Sequence, residues 1–83
     1  MAVFLSYTSH MRVTYDKAVD AAYIYFTAIP DGGVARTFLV DEFVKTTDMI
    51  NLDFDKANRL LGIEVLSAST QLPKELLDSA ELI

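Results

Sequence analysis

The sequence predicts an α+β domain, mostly β: an antiparallel β-meander of about five strands with a C-terminal helix packed on one face. Three observations carry this prediction. Short segments with a two-residue apolar period follow one another from Met11 to Leu66. Turn-forming residues divide them, above all Pro30-Asp31-Gly32-Gly33 and Asp55-Lys56-Ala57-Asn58. Past Leu66 the apolar spacing becomes helical, with Leu72, Leu76, Leu77 and Ala80 recurring beside Lys74, Glu75, Asp78 and Glu81.

Taken in order, Met11 to Tyr15 sets Met, Val and Tyr against Arg12 and Thr14, which predicts a strand with one buried face. Asp16 to Asp20 breaks it, and the Asp16 carboxylate is placed to cap a single helical turn there. Asp20 lies four residues on, and hydrogen bonds from nearby backbone amides account for this carboxylate pair more simply than chemistry does. Ala21 to Ala28 carries Tyr23, Ile24, Tyr25 and Phe26 in sequence, apolar on both faces, and is expected in the interior of the sheet. The glycines of the Pro30 turn supply positive φ, and Val34 to Val44 continues as strand.

Met49 to Phe54 and Arg59 to Leu66 form the last hairpin, with Asn58 in the left-handed conformation that a bulged turn needs. Pairing Phe54 with Arg59 places Asn51 opposite Gly62 and Met49 opposite Glu64. One face then carries Ile50, Leu52, Phe54, Leu61, Ile63 and Val65, an apolar surface that requires a cover. A helix beginning at Pro73 provides it.

A chain of 83 residues accommodates one domain, here residues 11–83, with residues 1–10 as an N-terminal extension or an extra edge strand through Val3, Leu5 and Tyr7. There is no cysteine, so neither disulfides nor thiolate-bound zinc contribute stability. Apolar residues make up 52% of the chain, more than so small a domain readily buries, which predicts a homo-oligomer, a dimer or larger.

The formal net charge of −5 and the scattered Lys and Arg argue against direct nucleic-acid binding. No apolar run approaches the roughly 18 residues of a membrane span. The opening stretch lacks a basic n-region and a long apolar core, so a cytoplasmic protein is expected.

Several segments together resemble the small prokaryotic domain-of-unknown-function 2283 (DUF2283) family. They are Met11-Arg12-Val13-Thr14-Tyr15-Asp16, Asp20-Ala21, Tyr23-Ile24, Asn51-Leu52-Asp53-Phe54-Asp55, and Arg59 through Leu66 with Ala68-Ser69. The resemblance covers about residues 11 to 73. It departs at Val19, where the family usually has alanine, and at Asn58, where its turn usually has glycine. It implies a strand meander and an uncharacterised function. Its members resemble companions of other small proteins, some toxin-like, which implies an antitoxin-like, partner-binding role.

Among polar residues, Asn51, Asp53 and Glu64 share the face opposite the apolar one, with Asp41 beside them from the neighbouring strand. Carboxylates gathered so could hold a small molecule or a hard cation, although alternation alone also puts polar residues on a solvated sheet face. Asp53 to Asn58 lacks the central glycine and distal glutamate of a calcium loop. His10 is the only histidine, which removes two-histidine metal sites and makes a catalytic triad improbable. Asp31-Gly32-Gly33 has no downstream lysine and helix to cradle a phosphate. Tyr15, Tyr23, Tyr25, Phe26 and Phe38 read as cross-strand packing before they read as a stacking platform. The expected protein is therefore a non-enzymatic interaction module without a cofactor, with a ligand or metal binder using the acidic face as the alternative.

Overall fold

The computed structural model describes residues 11–40 and 49–83. Six strands occur among them: β1 (Arg12–Asp16), β2 (Ala21–Tyr25), β3 (Arg36–Val40), β4 (Ile50–Phe54), β5 (Leu60–Leu66) and β6 (Glu81–Leu82). Two short helices, α1 (Ala68–Gln71) and α2 (Lys74–Asp78), lie between β5 and β6. The first five strands lie within the segments expected as strands, although β2 stops at Tyr25 instead of Ala28 and β3 begins at Arg36 instead of Val34. The extension at residues 1–10 and the stretch 41–44 lie outside the described residues.

The order of the strands corrects the meander. It runs β3-β4-β5-β2-β1-β6, so β5 pairs with β2 and the hairpin β1–β2 lies beside a separate meander β3–β4–β5. A two-residue alternation specifies which face a side chain occupies but not which strand lies next to it. All pairs are antiparallel except β1 with β6, which makes the sheet mixed. As expected, β2 is an interior strand, held between β1 and β5.

The single C-terminal helix is corrected as well. Pro73 precedes α2 in extended conformation, with φ −60° and ψ 140°, and accepts the amides of Leu76 and Leu77. Helix α2 then closes tightly: the Ser79 hydroxyl donates to the Leu76 carbonyl at 3.1 Å and the Ala80 amide to the Leu77 carbonyl at 3.2 Å. So short a helix gains little from each further turn. The free edge of β1 offers the next residues a ladder instead, with Thr14 opposite Glu81 and Tyr15 opposite Leu82. Glu81 thus becomes a strand residue, paired to Arg12 at 3.2 Å.

Registers define two faces. Val13, Tyr15, Ala22, Ile24, Ile63, Val65, Ile50 and Leu52 line one, and the helices pack there, as the apolar pattern required. The buried cluster is Tyr15, Ala22, Val65, Ala68 and Leu77, with Ile50, Ile63, Leu72 and Ala80 against it. This cover sits over the β1–β2–β5 end, and at the other end Phe38 stays 54% exposed.

Three non-glycine residues with positive φ shape the connections. Asn58 has φ 64°, as the bulged turn demanded, and its amide donates to the Asp55 carbonyl. Asp20 and Ser67, at φ 55° and 53°, end the β1–β2 turn and begin α1. These two corners are clasped together. The Asp20 carboxylate accepts from the Tyr15 hydroxyl at 2.6 Å, the Ser69 hydroxyl at 2.7 Å and the Ser69 amide at 3.0 Å, while the Asp20 carbonyl accepts the Ala68 amide at 2.9 Å. Asp16 behaves as foreseen, its carboxylate accepting the Ala18 amide at 3.0 Å in a turn.

The clasp makes stability depend on pH. The Tyr15 hydroxyl chiefly, then Ser69, holds the Asp20 carboxyl below its ordinary pKa. Ionised Asp20 therefore contributes stability that is fully present above the unfolded carboxyl value of about 3.9 and is lost as pH falls through the lower folded value. Asp20→Asn, which tolerates positive φ, is expected to be less stable than the wild type near neutral pH and to converge on it in acid. Urea melts across that range check this, and a gap that does not narrow with acidification would count against the clasp.

Candidate functional site

The polar face is built by the same registers. Asn51 lies opposite Glu64 and Asp53 opposite Gly62, whereas the sequence reading set Asn51 opposite Gly62. The hairpin loop explains the difference. Asp55 closes it by donating its amide to the Arg59 carbonyl at 3.0 Å and accepting the Ala57 and Arg59 amides, each at 2.9 Å. Arg59 is thereby held in the loop, Phe54 pairs with Leu60, and an irregularity between Asp53 and Phe54 absorbs the odd residue. From Ile50 to Asp53 the net shift is two residues, which leaves those side chains and their partners on β5 on their expected faces.

Of the four candidates, the structure brings together Asn51, Asp53 and Glu64, and Asp41 lies outside the described residues. The Asn51 side-chain amide donates to Glu64 Oε1 at 2.8 Å. Both Asp53 oxygens are engaged, Oδ2 by the Tyr23 hydroxyl and Oδ1 by the Thr37 hydroxyl, each at 2.6 Å. Four strands are thus linked across one face by side chains alone.

Tyr23 and Thr37 were missed as partners of Asp53, and the signal for Tyr23 was Gly62. Tyr23 stands on β2 and Asp53 on β4, with β5 between them. Its ring lies across the backbone at Gly62: a Cβ there would press on Tyr23 Cε1 and sit 2.6 Å from the hydroxyl oxygen and 2.8 Å from the Ile24 carbonyl. Glycine inside a strand often marks such an approach. Tyr25 packs beside Tyr23 with centroids 4.5 Å apart, and the Arg12 guanidinium lies 4.4 Å from the Tyr25 centroid. The Tyr23–Tyr25 pair lies along one strand, while Tyr23 crosses to Gly62 on β5 and Tyr25 meets Arg12 on β1.

Chemically the cluster consists of two hydrogen-bonded groups, Tyr23–Asp53–Thr37 and Asn51–Glu64. Burial, and then the Asp53 carboxylate, raise the Tyr23 hydroxyl far above its ordinary pKa, so it stays a donor and not a base. No buried side-chain nitrogen or oxygen among the described residues lacks a partner. Among these residues no three His, Cys, Asp or Glu side chains come together as a metal centre would need. Beside the network a shallow cleft of about 420 Å³ is lined by Tyr23, Tyr25 and the loop from Ile29 to Val34. Gly32, at φ 74°, and the Gly33 amide, donating to the Pro30 carbonyl at 2.9 Å, shape that loop. No helix among the described residues is long and apolar enough to cross a membrane.

Gly62→Ala is expected to cost about 1–3 kcal/mol through overpacking against Tyr23 and the Ile24 carbonyl. Combined with Tyr23→Ala, which clears the ring, it should cost less than the sum of the single changes. Denaturant melts of the two single variants and the double variant measure this, and strict additivity would contradict the crossing.

Neither a curated protein nor a solved structure matches the chain. The family described as "Protein of unknown function (DUF2283)" matches residues 12–69, a span from the start of β1 into α1 that takes in Asp20, Tyr23, Asp53, Gly62 and Ser69. With most of the chain covered, the protein belongs to the DUF2283 family.

Proposed function

We propose that this chain is a non-enzymatic interaction module that binds protein through the open edge of its sheet at β3, in keeping with the companion role the family resemblance implies. The observation that carries this reading is the state of that edge. Residues 36–39 are all exposed, and Phe38 and Leu39, at 54% and 41%, stand on opposite faces of the strand. β3 pairs only with β4 among the described strands, so its outer backbone donors and acceptors form a template for strand addition. The polar face supports the same reading from the other side, because Asp53 is held at both oxygens and Asn51 is bonded to Glu64.

The alternative is a ligand site on the polar face, around Asn51, Asp53, Glu64 and the neighbouring cleft, with Asp41 as a further candidate. Capture of proteins from a native extract separates the two. The tagged wild type and an Asn51→Ala variant should retain the same partner, whereas Leu39→Lys, which charges the edge without touching the ladder to β4, should lose it. Retention by Leu39→Lys together with loss by Asn51→Ala would place binding on the polar face and overturn the proposal.

A further inference from the structure

The partner that the β3 edge fits is a second copy of the same strand. We infer that two chains associate about a twofold axis through Phe38, their β3 strands antiparallel, so that the two sheets join into one. This rests on the interaction reading above and specifies both the occupant and its register.

The direction of the free backbone groups follows from the ladder. The Leu66 amide donates to the Met49 carbonyl, so positions 49, 51 and 53 of β4 bond toward β5 and positions 50, 52 and 54 bond toward β3. Their partners in β3 are Val40, Phe38 and Arg36, which therefore bond inward. Thr37 and Leu39 are left with amide and carbonyl turned to the open edge.

A twofold axis at Phe38 sets Thr37 of one chain opposite Leu39 of the other, so the residues with outward groups form the hydrogen-bonded pairs. Phe38 meets its counterpart in a non-hydrogen-bonded pair, where the Cα atoms approach to about 4.5 Å and side chains are closest. The exposed ring of Phe38 then covers its equivalent, on the face where the helices leave Phe38 bare.

The register selects a second copy, since it sets the exposed Phe38 against its own counterpart, and charge within the segment does not oppose it. Each chain is acidic, with 12 Asp and Glu against 7 Lys and Arg, yet Val34 to Val40 holds no carboxylate. Two such chains meet there with no carboxylate from that segment on either side. Arg36, the one charge in the segment, is already engaged by Asn58 Oδ1 at 2.7 Å and by the Phe54 ring at 4.7 Å, so it does not call for an acidic partner. In the twofold register Arg36 faces Val40. The two guanidinium-bearing positions fall about 14 Å apart along the strands at the usual rise of about 3.4 Å per residue. That exceeds the Debye length of about 8 Å at physiological salt.

A five-residue edge on each side is far smaller than the roughly 20–30 residues a side of tight complexes. The association is therefore expected to be reversible in the micromolar range.

The absence of cysteine makes a direct test available. Single cysteines are placed at Thr37, Phe38 and Leu39 in the full chain, exposed to a mild oxidant, and read as covalent dimer on non-reducing gels, beside light-scattering masses of the wild type. Phe38→Cys should cross-link readily. Thr37→Cys and Leu39→Cys alone should not, since like positions lie on a diagonal of about 7–8 Å, beyond the reach of a disulfide. Mixed together, those two should cross-link, which keeps the register testable if loss of the Phe38 ring weakens the pair. Light scattering should give twice the 9.3 kDa chain mass at high micromolar concentration.

A wild type of one-chain mass throughout overturns the inference, and so does a dimer in which Thr37→Cys or Leu39→Cys cross-links to itself. If the chain is monomeric but Leu39→Lys still abolishes capture of another protein, self-pairing fails and the interaction reading stands. If capture is also indifferent to the edge, both fail.

Discussion

Tyr23 can reach Asp53 only because position 62 carries no side chain, and much of the polar face depends on that crossing. β5 pairs with both β2 and β4, and it is the strand through which the hairpin β1–β2 and the meander β3–β4–β5 become one sheet. A ring laid over its backbone fixes β2 against β4 with a strand between them, and Thr37 extends the linkage to β3 through the other Asp53 oxygen. Glycine costs about 0.5–1 kcal/mol in a strand interior. Here that cost is offset by a tyrosine packed where a Cβ would stand and by a carboxylate saturated at both oxygens. The same geometry explains why these groups are poor candidates for acid–base chemistry: an acid whose oxygens are held by two hydroxyls, one of them strongly resistant to ionisation, is arranged to be rigid.

The second constraint acts at the opposite corner. Few side chains of the described residues are buried, and hydrogen-bonded clasps supplement the core they form. Asp20 ties the β1–β2 turn to the start of α1 through its carboxylate and its carbonyl, across 49 positions of sequence. Its left-handed backbone and that of Ser67 turn both segments toward each other. α1 and α2 are too short to stand by themselves, so their place over Tyr15, Ala22 and Val65 depends on this junction. Residues 12–69, which the family spans, end within the clasp at Ser69.

How much could be read from the chain follows from the range of each signal. Alternation is local, and it placed β1 to β5 and put Ile50, Leu52, Ile63 and Val65 on one face and Asn51, Asp53 and Glu64 on the other. It carries no information about neighbours, so the insertion of β5 beside β2 was invisible. The hairpin register failed by two residues because Asp55 holds Arg59 in the loop, a contest between side-chain and ladder hydrogen bonds that composition does not decide. The faces of Ile50 to Asp53 survived because there two residues restore the period. Glu81 sat at a helical spacing yet joined a strand, since the free edge of β1 lies far away in sequence. Gly62 was legible in principle: a glycine within Leu60 to Leu66 asks what approaches it, and the aromatic residues of the adjacent strand are the natural answer.

The two edges of the described sheet are built differently. At one edge β6 is two residues long, and the Arg12–Glu81 ion pair stands beside it. Very short, charged edges discourage pairing with another sheet. At the other edge β3 presents five residues without proline or lysine and with apolar side chains on both faces. A monomer gains nothing from such an edge and is exposed by it to aggregation. Its cost becomes intelligible if the edge is ordinarily occupied, because the groups that endanger a free chain are the ones that give strand addition its affinity and its register. Among the described residues the helices cover only the far half of the face that carries Phe38.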